Sequence, residues 1–224
     1  MKVNEIYERT VIKANRNKGT QNVSIDKYRW VLSYNENRIK RIEYLLDKKN
    51  DDDVREIQEA IKNNTELIKV QTLSDRVLFE LPKDYLDLSS AYAYVSQKDC
   101  KNQKIYLWEL KDQNYGEIFP DSFNEPSLEY EESFFTIQGG NLVIFKKDDL
   151  KIDKVFITYY FYPPLVDIEG YIKSDNITNS SNQEEIMSDR FINKVVSMVV
   201  ADFARNNQDV QAKNLNQDRI VTNF

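Results

Sequence analysis

Carboxylates are the residues of this chain whose type and spacing come closest to a chemistry. Asp51-Asp52-Asp53 places three oxygen donors side by side, the ligand type a hard divalent cation takes, and would give a metal-dependent hydrolase its first ligands in Asp51 and Asp53. Glu129, Glu131 and Glu132 make a second cluster, and two carboxyls in different surroundings can divide the roles of acid and base. Adjacent carboxylates, however, do not converge on one ion without partners from elsewhere. Three acids ahead of an apolar run also suit a helix start, where negative charge faces unpaired amides. We therefore assign no catalytic, cofactor-binding or metal-ligating residue, expect no cofactor, and do not expect an enzyme.

What the chain lacks narrows the chemistry further. Its 224 residues contain no histidine, and Cys100 is its single cysteine. Ser-His-Asp triads, H-E-x-x-H zinc sites, intrachain disulfides and multi-cysteine metal sites are all excluded. Gly19, Gly116, Gly139, Gly140 and Gly170 fit neither G-x-x-x-x-G-K-[ST] nor G-x-G-x-x-G, which removes Walker-type and ordinary dinucleotide binding. The 37 acidic against 31 basic residues give a net charge of -6, unfavourable for electrostatic wrapping of nucleic acid. Tyr159-Tyr160-Phe161-Tyr162, near Lys146, Lys147, Lys151 and Lys154, could form a stacking platform for bases. The negative charge favours the other reading, with one ring face in the sheet and the other against a helix or a neighbouring subunit. The charged N-terminus offers no apolar signal core, and the apolar run Val155–Val166, broken by Pro163-Pro164, is too short to span a bilayer, so export and membrane insertion are not expected.

Periodicity predicts the elements that carry these residues. The first third has one glycine and no proline before Pro82, and reads as helical. A first helix ends near Gly19. Tyr28, Val31, Leu32, Ile39, Ile42 and Leu46 mark a second from about Asp26, and Val54, Ile57, Ile61 and Ile68 mark a third. Strands are predicted at Val77–Leu81, Leu86–Val95, where the alanines would also fit a helix, Ile105–Leu110 and Val155–Tyr162, with one or two helical turns at Asp112–Phe119. Ser133–Phe145 reads as a hairpin turning at Gly139-Gly140. Ser181 and Glu184 have capping-box spacing ahead of an apolar helix through Ile192, Val195, Val196, Val199, Val200 and Phe203.

The expected class is α+β: an N-terminal helical hairpin and a C-terminal helix packed together, with a small antiparallel β-domain between them. The expected boundaries are a helical region 1–75, a β-domain 76–170, a loop 171–183, a helix 184–207 packing on the helical region, and an extended tail 208–224. Isolated apolar residues in that polar tail suit a disordered end, or a segment laid along a partner.

The order of these features resembles a known family. Lys18–Ile25 after the first helix, Leu81-Pro82-Lys83-Asp84-Tyr85-Leu86, Asn124-Glu125-Pro126-Ser127, the Gly-Gly hairpin, Val155–Pro164, and a closing helix with Val195-Val196 and an Asn-Gln tail are similar to the head-to-tail connector, or ring, proteins of crAss-like phages. The resemblance covers most of the chain and rests on the order of individually structural motifs. It implies a virion protein of the neck or tail region, made in the host cytoplasm. It further implies a ring of twelve copies that docks beneath the portal protein, meets the next tail or neck protein, and extends the channel for genome ejection. Duplex DNA would pass through the lumen without specific binding. The C-terminal segment would reach the portal, which assigns that contact to Val210, Leu215, Ile220, Val221 and Phe224. Other expectations are a stopper or tail-tube type component and, behind it, the carboxylate hydrolase.

Overall fold

The computed structural model describes residues 1–16, 25–48, 55–98, 100–110, 126, 128–147, 149–171 and 183–221, with side chains to 205 in the last stretch. The protein is α+β and divides into two compact units, Met1–Glu59 with Pro164–Phe224, and Ala60–Pro163. Lys18–Ser24 of the Lys18–Ile25 motif, Asp51–Asp53, Asp112–Phe119, Asn124-Glu125, Ser127 and most of the 171–183 loop lie outside the described residues.

The first unit packs α1 (Val3–Arg16) and α2 (Lys27–Lys48) with α3 (Asp189–Val221). Asp26 caps α2, its Oδ1 accepting the Arg29 amide at 2.9 Å, and Ser188 stands before α3 with its carbonyl accepting from Ile192. The buried stripe of α2 runs through Trp30, Val31, Tyr34, Ile42, Leu45 and Leu46, whereas Tyr28 and Leu32, expected on it, are 40% and 53% exposed. Phe191, Ile192, Val195, Val196, Val199 and Val200 bury the facing stripe of α3. Trp30 sits at the centre, stacked on Tyr34 at 5.0 Å and met edge-on by Tyr7 at 5.5 Å. Its Nε1 donates to Thr10 Oγ1 at 3.1 Å.

A buried ion pair joins these helices to the returning chain. Arg38 Nη2 donates to Glu185 Oε1 at 2.5 Å and Nη1 donates to the Pro164 carbonyl at 2.7 Å. The Tyr34 hydroxyl donates to Glu185 Oε2, and the Met187 amide donates to Oε1. Burial first, then the adjacent Glu185 charge, raise the Tyr34 hydroxyl well above the usual tyrosine range. Glu185 also exchanges backbone contacts with Met1, and Lys2 bridges Glu184. These roles explain why α3 begins at Asp189, not at Glu184. The described backbone then stays helical to Val221, in place of the extended segment expected from 208. No glycine or proline follows Gly170 to end it.

Glu56 is the second buried acid of this unit, in a short 3₁₀ turn (Arg55–Ala60). Its side chain is 1% exposed and meets Arg41 at 2.9 Å, Arg190 at 2.8 Å and Lys194. Burial alone would raise its pKa, but the Lys194 and Arg41 hydrogen bonds and charges outweigh it and hold the carboxyl below its ordinary value near 4.5. The folded state thus binds this proton less tightly than the unfolded chain. The stabilisation is complete above the ordinary value and disappears as pH falls through the lowered one. Glu56→Gln is expected to cost about 2 kcal/mol at neutral pH, with the gap from the parent closing below about pH 4. Urea titrations at a series of pH values measure it.

The second unit is an eight-stranded mixed sheet curled into a half barrel, in the order β1-β8-β4-β5-β6-β7-β3-β2. Its strands are β1 (Ile61–Glu66), β2 (Ile68–Thr72), β3 (Arg76–Glu80), β4 (Tyr85–Gln97), β5 (Cys100–Glu109), β6 (Glu132–Gln138), β7 (Asn141–Phe145) and β8 (Lys151–Phe161). The predicted third helix is not there. Its C-terminal part is β1 and β2, because Asn63-Asn64-Thr65 are poor helix formers and β8 and β3 each take an antiparallel partner from this stretch. The boundary expected at 76 therefore falls at 60. The other end falls at Pro163, since Val166 and Ile168 are buried in the helical unit and Asn35 pairs with both backbone groups of Val166.

The sheet is larger than the small antiparallel domain expected, and β5 pairs with β6 in parallel. A parallel pair needs a long crossover, and residues 110–131 provide its length. The hairpin falls where predicted, with Gly139 and Gly140 both at positive φ, +56° and +78°, which an Ala or larger residue adopts only under strain. β1 and β2 stand at opposite edges of the sheet, yet only buried Leu67 separates them in the chain. The core lies on the inner face, from Val77, Phe79, Ala91, Ala93, Val95, Ile105, Leu107, Phe135, Ile144, Val155, Ile157 and Tyr159.

Candidate interaction surfaces

β4 presents an inversion of the simplest pattern. Its small residues Ala91 and Ala93 are buried, while Tyr92 and Tyr94 take the outer face. Strand register shows what they join. Glu66 of β1 is opposite Phe156 of β8, Phe156 opposite Tyr92, Tyr92 opposite Tyr106 of β5, and Tyr106 opposite Glu132 of β6. Three aromatics thus cross the middle of the sheet between two carboxylates. The next outer row is Lys154, Tyr94 and Lys104, and on the other side Trp108 lies beside Phe134.

The rings hold one another in place. Tyr92 and Phe156 stack at 5.3 Å and 14°, with Tyr94 edge-on to both at 5.9 Å. Lys104 Nζ lies 4.2 Å from the Tyr92 ring centroid and 5.4 Å from that of Tyr106. Lys154 pairs with Glu66 at 3.1 Å. Tyr106 and Trp108 remain 54% and 57% exposed, a large aromatic area for a solvent-facing sheet surface.

This surface is not the one marked by Tyr159–Tyr162. Tyr159 is buried, stacks on Tyr85 at 5.9 Å and donates to Asp84 Oδ1 at 3.0 Å, and Tyr160 is also buried. Of the nearby lysines, Lys146 donates to the Ser74 carbonyl, Lys151 pairs with Asp153 and Lys154 with Glu66. They do not line a basic groove beside exposed rings. The alternating Tyr92-Ala93-Tyr94 was the available signal for the exposed face.

Among the described residues, no group of three His, Cys, Asp or Glu side chains could hold a metal ion. Glu132 stands at the end of the aromatic row, and Asp51–Asp53 lie outside the described residues. Cys100 is exposed at the start of β5. Val210, Leu215, Ile220 and Val221 fall on the helical backbone of α3 with side chains outside the described set, and Phe224 lies beyond it. Among the described residues, no helix is long and apolar enough to cross a membrane.

No family model matches the chain, and no curated protein matches it.

Proposed function

We propose that this protein is a virion structural protein, a head-to-tail connector ring of twelve copies that docks beneath the portal and extends the DNA channel toward the tail. The observation that carries the reading is the order of motifs along the chain, from the N-terminal helices through Leu81-Pro82-Lys83-Asp84-Tyr85 and the Gly139-Gly140 hairpin to the closing helix and its Asn-Gln end. The build is compatible with it, since the N-terminal helices and the C-terminal helix belong to one unit and the hairpin belongs to a sheet that lies between them in the sequence. Ring contacts are heterologous, each copy offering two different surfaces to its neighbours. The net charge of -6 suits a wall past which duplex DNA slides, because carboxylates repel phosphate.

The C-terminal part of α3 carries the portal contact in this reading. At 1.5 Å per residue, the helix past Val200, its last buried side chain among those described, is about 30 Å long. Mixing the purified protein with its cognate portal and imaging by electron microscopy is expected to show ring density on the portal, lost when residues 206–224 are deleted. Absence of the ring, or full binding by the deletion variant, overturns the proposal.

A further inference from the structure

We infer that the outer aromatic face of β8, β4 and β5 is a two-fold interface for a second copy of this chain. The inference does not rest on the connector reading, because a two-fold contact cannot by itself close a ring of more than two copies.

Charge singles out the occupant. The face carries Glu66 and Glu132 at the ends of the Phe156–Tyr92–Tyr106 row, and Lys154 and Lys104 at the ends of the adjacent Tyr94 row. Its charges cancel, so it offers no cationic excess to a phosphate backbone. An aromatic centre with a polar, charged edge is the composition of a protein interface.

The arrangement is also complementary to itself. Consider a two-fold axis parallel to the rows and midway between them. It lays β8 on β8, β4 on β4 and β5 on β5 of the second copy, with the carboxylate-ended row of each copy on the lysine-ended row of the other. Lys104 then stands one strand away from the partner's Glu132, and Lys154 one strand away from the partner's Glu66. One strand is about 4.8 Å, within reach of a lysine side chain. Tyr92 and Tyr94 exchange places across the axis, so rings meet rings at the centre. Stacking with the axis through either row would instead set glutamates against glutamates or lysines against lysines. Sheets packed face to face cross at roughly 30°, which the long lysines accommodate.

Sedimentation equilibrium of the full-length protein from about 1 to about 100 µM tests this, in the range of weak to moderate self-association. We expect a monomer–dimer equilibrium. Lys104→Glu and Glu132→Lys should each raise the dimer dissociation constant about tenfold or more, since each change enters the symmetric interface twice. The double variant, which reverses the pair, should return to within a few-fold of the parent. Both positions are on the outer face, so unchanged circular dichroism and melting are expected and show that each variant is folded. A monomer over the whole range overturns the inference, as it would if residues of the same chain covered the face. So does a larger assembly indifferent to both single variants, or a double variant no better than the singles.

Discussion

Glu185→Ala is expected to destabilise the helical unit by about 3–5 kcal/mol, the range for removing one member of a fully buried ion pair. The side chains of Arg38 and Glu185 are 2% and 0% exposed, so the guanidinium left behind would have neither water nor a counter-charge. Its Nε already has no hydrogen-bond partner among the described residues. The same substitution strips the acceptor from Tyr34 and from the Met187 amide. Much of the loss is the penalty of stranding these groups, not the intrinsic strength of the pair. Arg38→Met with Glu185→Leu removes both charges, and should therefore cost less than Glu185→Ala alone. Urea denaturation followed by tryptophan fluorescence separates the variants, because Trp30 is buried in this unit while Trp108 is already exposed.

Trp30→Ala is expected to cost a similar amount, about 3–5 kcal/mol, through a different mechanism. The indole fills the space between Tyr7 of α1 and Tyr34 of α2, and its removal leaves a cavity whose walls are held by these packed helices and so collapse only in part. Trp30→Phe keeps most of the volume and loses the hydrogen bond to Thr10, for an expected cost of about 1–2 kcal/mol. Thr10 Oγ1 still donates to the Ile6 carbonyl, so the polar atom is not stranded. Far-UV circular dichroism in denaturant gives both values without the missing fluorophore. Equal losses for the two variants would show that the cavity contributes nothing.

The elements legible in the sequence were those whose pattern was local. The Gly139-Gly140 hairpin, β4, β5, β8 and the apolar stripe of α3 follow from spacing and turn chemistry alone. The segment 54–70 misled because Ile57, Ile61 and Ile68 fall at helical intervals, while the partner of β1, Phe156–Tyr160, is far along the chain, and the turn from β2 to its near partner Val77–Glu80, Leu73–Asp75, carries no glycine or proline. The parallel register of β5 and β6 has no local signature either. Glu185 and Glu56 were unremarkable as two of 37 acids, and only folding gives Glu185 its buried cation and gathers three cations around Glu56. The aromatic face was half visible. Tyr92 and Tyr94 alternate with alanines, yet nothing local says that the larger side chains point outward or that Phe156 and Tyr106 extend their row.

Leu67 gives the sheet a particular order of completion. Because that one residue joins strands lying at opposite margins, the stretch from Ile61 to Thr72 works as a clasp. Its two arms are fastened at very different times: β2 pairs with β3 as soon as Leu73–Asp75 have turned the chain, whereas β1 waits for β8, whose last residue lies ninety-odd positions downstream on the growing polypeptide. A ribosome must release nearly three quarters of the protein before the first strand it made can find its neighbour.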